Sequence, residues 1–234
     1  MSPKKRIVVK VGTGVFYDKT SDENGYVLKG GTMDAFVGEM YELNKIVELM
    51  IVSSGAIATA AYMYKLQIPQ SSEERAVLAG IGQPLLMKEY AKRFEKYGQR
   101  IAQCLVTRED VDIERRCINK EIDQRIKNLR GVQESYFRRG IIAIYNENDA
   151  ISFAEISLGD NDILAAMVSV ATEASNLYII SHPVEGFGRG GGQSKKIARD
   201  ICEKNKIQFS IINDCYEKDE NDHYKSLILN LIRD

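Results

Sequence analysis

Apolar residues come along this chain in two patterns. Short continuous runs occur at RIVVKV (Arg6 to Val11), in MIVSSGA from Met50, and at residues 101–106, 141–145 and 177–180. Runs without polar alternation are what parallel strands buried on both faces require. Between them, apolar residues recur at helical spacing. Phe36, Met40, Leu43 and Val47 follow Thr32, which is placed to cap a helix. Leu86, Tyr90 and Phe94 lie four apart; Leu164, Met167, Val168 and Ala171 form another stripe; Tyr224, Leu227, Ile228, Leu231 and Ile232 form the last. Strands alternating with helices predict an α/β fold with a largely parallel sheet. The polar stretch YDKTSDENGYVLKGG from Tyr17 reads as a loop or hairpin, and YEKDENDHY from Tyr216 as a surface loop before the final helix. With no internal repeat and no linker, residues 1–234 are expected to form one domain.

Composition narrows the function classes. The chain has 234 residues, 44% of them hydrophobic, enough for one substantial core. Its 32 basic side chains balance 33 acidic ones, which argues against bulk attraction to nucleic acid or an anionic membrane. No apolar run reaches the roughly 18 residues that span a bilayer. The basic N-terminus leads into an apolar run broken at Lys10, so it does not read as a signal peptide. Cys104, Cys117, Cys202 and Cys215 show no CxxC spacing, and His182 and His223 are the only histidines. No zinc site is expected, and buried, inert thiols in a reducing cytoplasm are.

The unusual polar residues fall at the carboxyl ends of the expected strands, where open α/β sheets bind ligands. Lys10 lies inside the first apolar run. A lysine there is costly unless it meets an anion or a carboxylate, or reaches water from an edge strand. GTG (Gly12 to Gly14) and SSGA (Ser53 to Ala56) are glycine-containing turns that allow close backbone approach. No GxxxxGK[ST] and no strand-borne GxGxxG is present. GRGGGQSKK (Gly188 to Lys196) can wrap phosphates and present a lysine at a helix start, or form a basic surface loop. NEND and GDND bring Asn146, Asp149, Asp160, Asn161 and Asp162 together at a strand-to-helix junction. Helix capping needs one such residue, not all of them. Asp162 can orient a lysine, while Asn161 and Asp149 suit an amine or amide on a small substrate.

In this order, VVKVGTGVF, IVSSGAIA, GQPLLMKEYAKRF, LVTREDVDIERRCIN, IIAIYNENDAIS, EISLGDNDILAA and GRGGGQSKK resemble the amino acid kinase superfamily, and within it the glutamate 5-kinase family. The resemblance implies a three-layer αβα sandwich, and ATP-dependent phosphorylation of the γ-carboxylate of L-glutamate to γ-glutamyl phosphate, the first step of proline biosynthesis. It implies that Lys10 and Lys195 bridge the phosphates while Asp162 fixes both lysines. Gly12, Thr13, Gly14, Gly190 and Gly191 would lie along the ATP phosphates. Ser54, Asp149 and Asn161 would bind glutamate, with Gly55, Ala56 and Asn146 lining its pocket. Mg²⁺ would accompany ATP, with no metal ligand assigned on the chain itself. Proline as a feedback inhibitor, a downstream γ-glutamyl phosphate reductase and a homo-oligomer (dimer or tetramer) belong to the same expectation.

The pattern departs from the family after Ile180. SHPVEGFGRGGG stands where the family has Thr-Asp, a Gly-Leu-Tyr segment and a much longer loop around the adenosine. Gly192 stands in place of the usual Met after the glycines, and Gly14 in place of a common Ser. No C-terminal PUA domain is expected in this chain. An amino-acid kinase with a different acceptor or nucleotide, and a non-catalytic amino-acid-binding regulatory protein, stay open as readings.

Overall fold

The computed structural model describes residues 4–19, 25–69, 71–116, 120–152, 161–181, 191–213, 216 and 225–233. In chain order the elements are β1 (Arg6–Val11), α1 (Thr13–Phe16), β2 (Tyr17–Lys19), β3 (Tyr26–Leu28), α2 (Gly30–Ile46), β4 (Glu48–Ser53), α3 (Ala56–Tyr64) and α4 (Ser72–Glu95). There follow β5 (Ile101–Val106), a single 3₁₀ turn at Glu109–Val111, α5 (Ile113–Arg116), α6 (Lys120–Arg138), β6 (Ile142–Glu147), α7 (Asn161–Ala171), β7 (Asn176–Ile180), α8 (Gly191–Lys204), β8 (Gln208–Ile212) and α9 (Leu229–Arg233).

Six strands form one sheet in the order β5-β6-β4-β1-β7-β8, every neighbouring pair parallel. β2 and β3 form a separate antiparallel hairpin, resolving the loop-or-hairpin alternative for that stretch. Helices cover both faces, giving the expected three layers. Strand alternation assigns the faces. Ile7, Val9, Val11, Leu49 and Ile51 pack with Phe36, Met40 and Leu43 of α2 and Leu86, Tyr90 and Phe94 of α4. Val8, Met50 and Val52 pack on the other side with Leu164, Ala165 and Val168 of α7 and Ala198 and Cys202 of α8.

This topology positions the site. β1 lies between β4 and β7, so its carboxyl end is central. The helix after β1 covers one face, and the helix after its neighbour β7 covers the other. Chain departures to opposite faces open a crevice between adjacent strand ends. Lys10 alternates with Val9 and Val11 and shares the face of Val8, which is the face of α7.

Several boundaries differ from expectation. α2 begins at Gly30, so Thr32 lies inside it and caps nothing. Lys29 sets the earlier start: its amide donates to Phe16 O at 2.7 Å, and its carbonyl accepts the first helical bond, from Met33. β6 extends through Asn146 and Glu147, because β5 continues to pair with it there. β8 was not anticipated; its residues are half-buried or exposed, and its apolar run is short. The final stripe forms only a short helix, with Ile228 buried and Leu231 exposed; Tyr224 lies outside the described residues. Tyr216, expected on a surface loop, is buried against Phe36 and donates to the buried Glu39 carboxylate. Glu39 also accepts the amides of Ile228 at 2.7 Å and Leu229 at 2.8 Å. Cys202 is buried and Cys104 half-buried; burial pushes their thiols up to about 12 and about 11, consistent with inert groups. Cys117, Cys215, His182 and His223 lie outside the described residues.

Candidate active site

Three charged side chains from separate parts of the chain meet at the end of β1. Lys10 Nζ pairs with Asp162 Oδ1, and Lys195 Nζ donates to Asp162 Oδ2 at 3.0 Å. Each partner comes from a rigid element: Lys10 from the central strand, Asp162 from the first turn of α7, Lys195 from the start of α8. The Asp162 side chain is 3% exposed, Lys10 9% and Lys195 22%, so the lysine from α8 is the one nearest solvent. Burial pushes the Asp162 carboxyl up, but attraction to Lys10 and then Lys195 outweighs it and holds the group below its ordinary value. The cluster is one negative and two positive charges, a net cation in a shielded place.

The neighbouring residue organises a second, neutral cluster. Asn161 Nδ2 lies 3.0 Å from Ser53 O, 2.8 Å from Ser54 Oγ and 3.0 Å from Asn146 Oδ1. These acceptors come from the ends of β4 and β6, so one amide ties two strand ends to α7. Asn161 Oδ1 is buried and lacks a hydrogen-bond partner among the described residues. Asn146 Nδ2 donates to Gln83 Oε1 at 3.2 Å, and Gln83 Nε2 donates to Glu147 O at 3.3 Å. Gln83 on α4 therefore braces the amide row from behind.

The SSGA turn is shaped by Gly55, whose φ of 105° is a backbone conformation that side chains rarely permit. Its carbonyl accepts from Thr59 N at 2.8 Å and Thr59 Oγ1 at 2.7 Å, and Tyr17 bonds that hydroxyl at 2.7 Å. Ala56 starts α3 and lies against α4. A Cβ on Gly82 would fall 1.8 Å from Ala56 O, so only glycine allows the two helices to approach there.

The turn after β1 is held differently. Gly12 N donates to Ile180 O at 3.1 Å, so that amide is engaged within the protein, while its carbonyl accepts Val15 N. Gly12 has an ordinary φ of −78°. A Cβ there would sit 3.5 Å from Ile180 O and 3.8 Å from Lys10 Nζ. Thr13 is half-buried, and Gly14 is buried with its carbonyl accepting from Lys29 Nζ at 3.0 Å.

Asp149 is half-buried in the turn after β6 and, among the described residues, makes no hydrogen bond to the amide cluster. Burial pushes its carboxyl up to about 6, against the partial opposition of Arg75. Gly191 opens α8; Gly190, Asp160 and the rest of residues 182–190 lie outside the described residues. The sequence reading overlooked Gln83 and Gly82 as site-forming residues, although both lie in GIGQP, where glycine, amide and proline interrupt a helical pattern.

The amino acid kinase family profile matches residues 5–208 of this chain. Over 203 residues the chain is 35% identical to a glutamate 5-kinase of Geobacter sulfurreducens, covering 86% of this chain and 50% of that protein. Over 180 residues it is 39% identical to a glutamate 5-kinase of Caldanaerobacter subterraneus subsp. tengcongensis, covering 75% and 44%. The chain thus spans about half the length of the curated relatives it matches. The structure of a UMP kinase from Ureaplasma parvum shares the fold at a TM-score of 0.54 and 12% identity, covering 90% of each chain. A UMP kinase from Bacillus anthracis aligns similarly, with a TM-score of 0.52 and 12% identity over 90% of this chain and 88% of that one. A profile match spanning both lysines and the acid between them carries the assignment: this chain belongs to the amino acid kinase family.

Proposed function

We propose that the chain transfers the γ-phosphoryl group of ATP to the γ-carboxylate of L-glutamate, producing γ-glutamyl phosphate for proline synthesis. One observation carries this reading: consecutive residues at the start of α7 serve both clusters. Asp162 gathers two lysines, and Asn161 gathers the Ser54 and Asn146 polar groups. A phosphoryl donor and a small polar acceptor would therefore be held to one helix start, in fixed relation to each other.

The chemistry suits these groups. A carboxylate is already ionised at neutral pH, so transfer needs no general base. It needs alignment and positive charge where charge builds on the transferring group. Lys10 and Lys195, held by Asp162, supply that charge. The open Oδ1 of Asn161 and the Asp149 carboxylate are acceptors for a substrate ammonium. An arriving ammonium would offset the burial that pushes Asp149 up. Gly12 contributes by being small next to Lys10, with its amide committed to Ile180. Thr13, Gly14, Gly190 and Gly191 belong to the phosphate side of the proposal, and Gly55 and Ala56 to the acceptor side. Mg²⁺ would enter on the triphosphate. The chemistry it would supply is neutralisation of charge on the phosphate oxygens. Proline inhibition, self-association, a partner reductase and cytoplasmic location remain parts of the same proposal.

Purified protein incubated with ATP, Mg²⁺, L-glutamate and hydroxylamine should yield γ-glutamyl hydroxamate, and Lys195→Ala should abolish it. Asp149→Ala should raise the KM for glutamate far more than that for ATP. Hydroxamate from another acid but not from glutamate would reassign the acceptor. No product with any nucleoside triphosphate, together with thermal stabilisation by glutamate or proline, would point to a sensor.

A further inference from the structure

We propose that Arg75 is the residue that selects for a free α-carboxylate on the acceptor, its guanidinium binding that group while Asp149 binds the adjacent ammonium. This rests on the amino-acid acceptor argued above and names what would recognise its head group.

A glutamate-like substrate brings three charged groups. The γ-carboxylate meets the transferring phosphoryl group, and the ammonium matches Asp149. The α-carboxylate still needs a cation. Lys10 and Lys195 are both engaged by Asp162. Arg75 stands in the first turns of α4, two turns before Gly82 and so on the same side of that helix. That side approaches the substrate turn, because Gly82 lies against Ala56 O and Gln83 beside it braces Asn146.

Arg75 is half-buried, and its Nε is buried without a hydrogen-bond partner. Among the described residues its side chain makes no ion pair or hydrogen bond. An unpaired buried guanidinium N–H is costly, and a planar fork of donors suits a carboxylate. Its charge acts on two groups from different elements, Asp149 after β6 and Tyr26 on β3, opposing in each the upward push of burial. Arg75 and Asp149 thus face one another electrostatically without closing into an ion pair. A separated cation and anion of this kind match a zwitterionic head group, whose two charges sit on one carbon.

The test compares hydroxamate formation from L-glutamate and from its α-amide, isoglutamine, which keeps the ammonium and the γ-carboxylate but is neutral at the α-position. For Arg75→Gln the expected result is a roughly 30-fold loss of kcat/KM on glutamate, carried by KM. Turnover, the KM for ATP and the rate with isoglutamine should stay within about 2-fold, and Arg75→Lys should recover part of the loss. Equal losses on both substrates, or a loss confined to kcat, would overturn the assignment and make Arg75 a support for α4. If the wild-type protein forms no hydroxamate, calorimetric titration with glutamate and isoglutamine decides. Glutamate binding that Arg75→Gln removes keeps the assignment while the kinase reading fails, whereas no glutamate binding to wild type removes both.

Discussion

At the end of β1 the polar groups are charged and mutually engaged: two lysines share the two oxygens of Asp162. At the ends of β4 and β6 they are mostly neutral, linked amide to amide and amide to hydroxyl, and one oxygen of Asn161 is left open. The two clusters adjoin through consecutive residues, yet they solve different problems. Buried charges must be neutralised before any ligand arrives, or the strand carrying Lys10 would be unstable. A buried neutral amide can leave its oxygen unpaired at a cost of about 1–3 kcal/mol, less than a buried charge would incur, and offer it to a ligand. On the proposed reading, the charged cluster acts on a partner and the neutral one recognises it.

That contrast can be broken first at its charged side. Asp162→Asn leaves two lysines without their shared counter-charge, one of them almost wholly buried. Hydroxamate formation should fall by about 10³-fold, with glutamate binding, measured by calorimetry, changed less than about 3-fold. Gly82→Ala tests the neutral side through its support. The added methyl meets Ala56 O far inside contact distance, so the helices must part, at a cost of about 3 kcal/mol in chemical denaturation. Surviving protein should bind glutamate poorly and ATP normally. Asn161→Ala acts directly on recognition, removing the donor shared by Ser53, Ser54 and Asn146. The KM for glutamate should rise by about 30-fold, equal to roughly 2 kcal/mol, and a larger fall in kcat than rise in KM would count against the division of labour.

Proton linkage sharpens the contrast further, because the two acids shift in opposite directions. Asp149 is raised to about 6 in the folded protein. The folded state therefore holds an extra proton between roughly pH 4 and 6. Stability contributed by this group is full at the acid end of that window, declines as pH rises through it, and is constant above. Asp149→Asn should flatten that slope and raise apo stability near neutrality by on the order of 1 kcal/mol. The KM for glutamate in the wild type should climb as pH falls below about 6. Asp162 is lowered, so its contribution is full above its unfolded value near 4 and is lost only as pH falls through its depressed folded value. Glutamate binding should thus weaken at mild acidity while the lysine cluster stays intact.

The charged cluster was legible because it violates a local rule: a lysine in an apolar run and an acid-rich helix start each demand a partner, and glycine-rich turns at strand ends say where it lies. The parallel sheet was legible for a similar reason, since its strands are continuous apolar runs. Gln83, Gly82 and Arg75 were not read as site residues. They lie in α4, where GIGQP interrupts the helical pattern without saying why, and their meaning depends on which neighbour that helix meets. The start of α2 was misplaced because Lys29, anchored to Phe16, fixes it instead of a side-chain cap. β8 escaped notice because an outer strand needs few apolar residues, and the last stripe mostly failed to become helix although Ile228 reached the core.

The bond from the Gly12 amide to the Ile180 carbonyl makes the turn after β1 a tenant of the neighbouring strand. The stretch following Ile180 is where the sequence departs from the family pattern. Any further departure there has to spare one carbonyl oxygen, because pulling it aside would drag the first turn out of register with Lys10. On the proposed reading, variation in nucleotide handling would thereby be leashed to the geometry of the reaction itself.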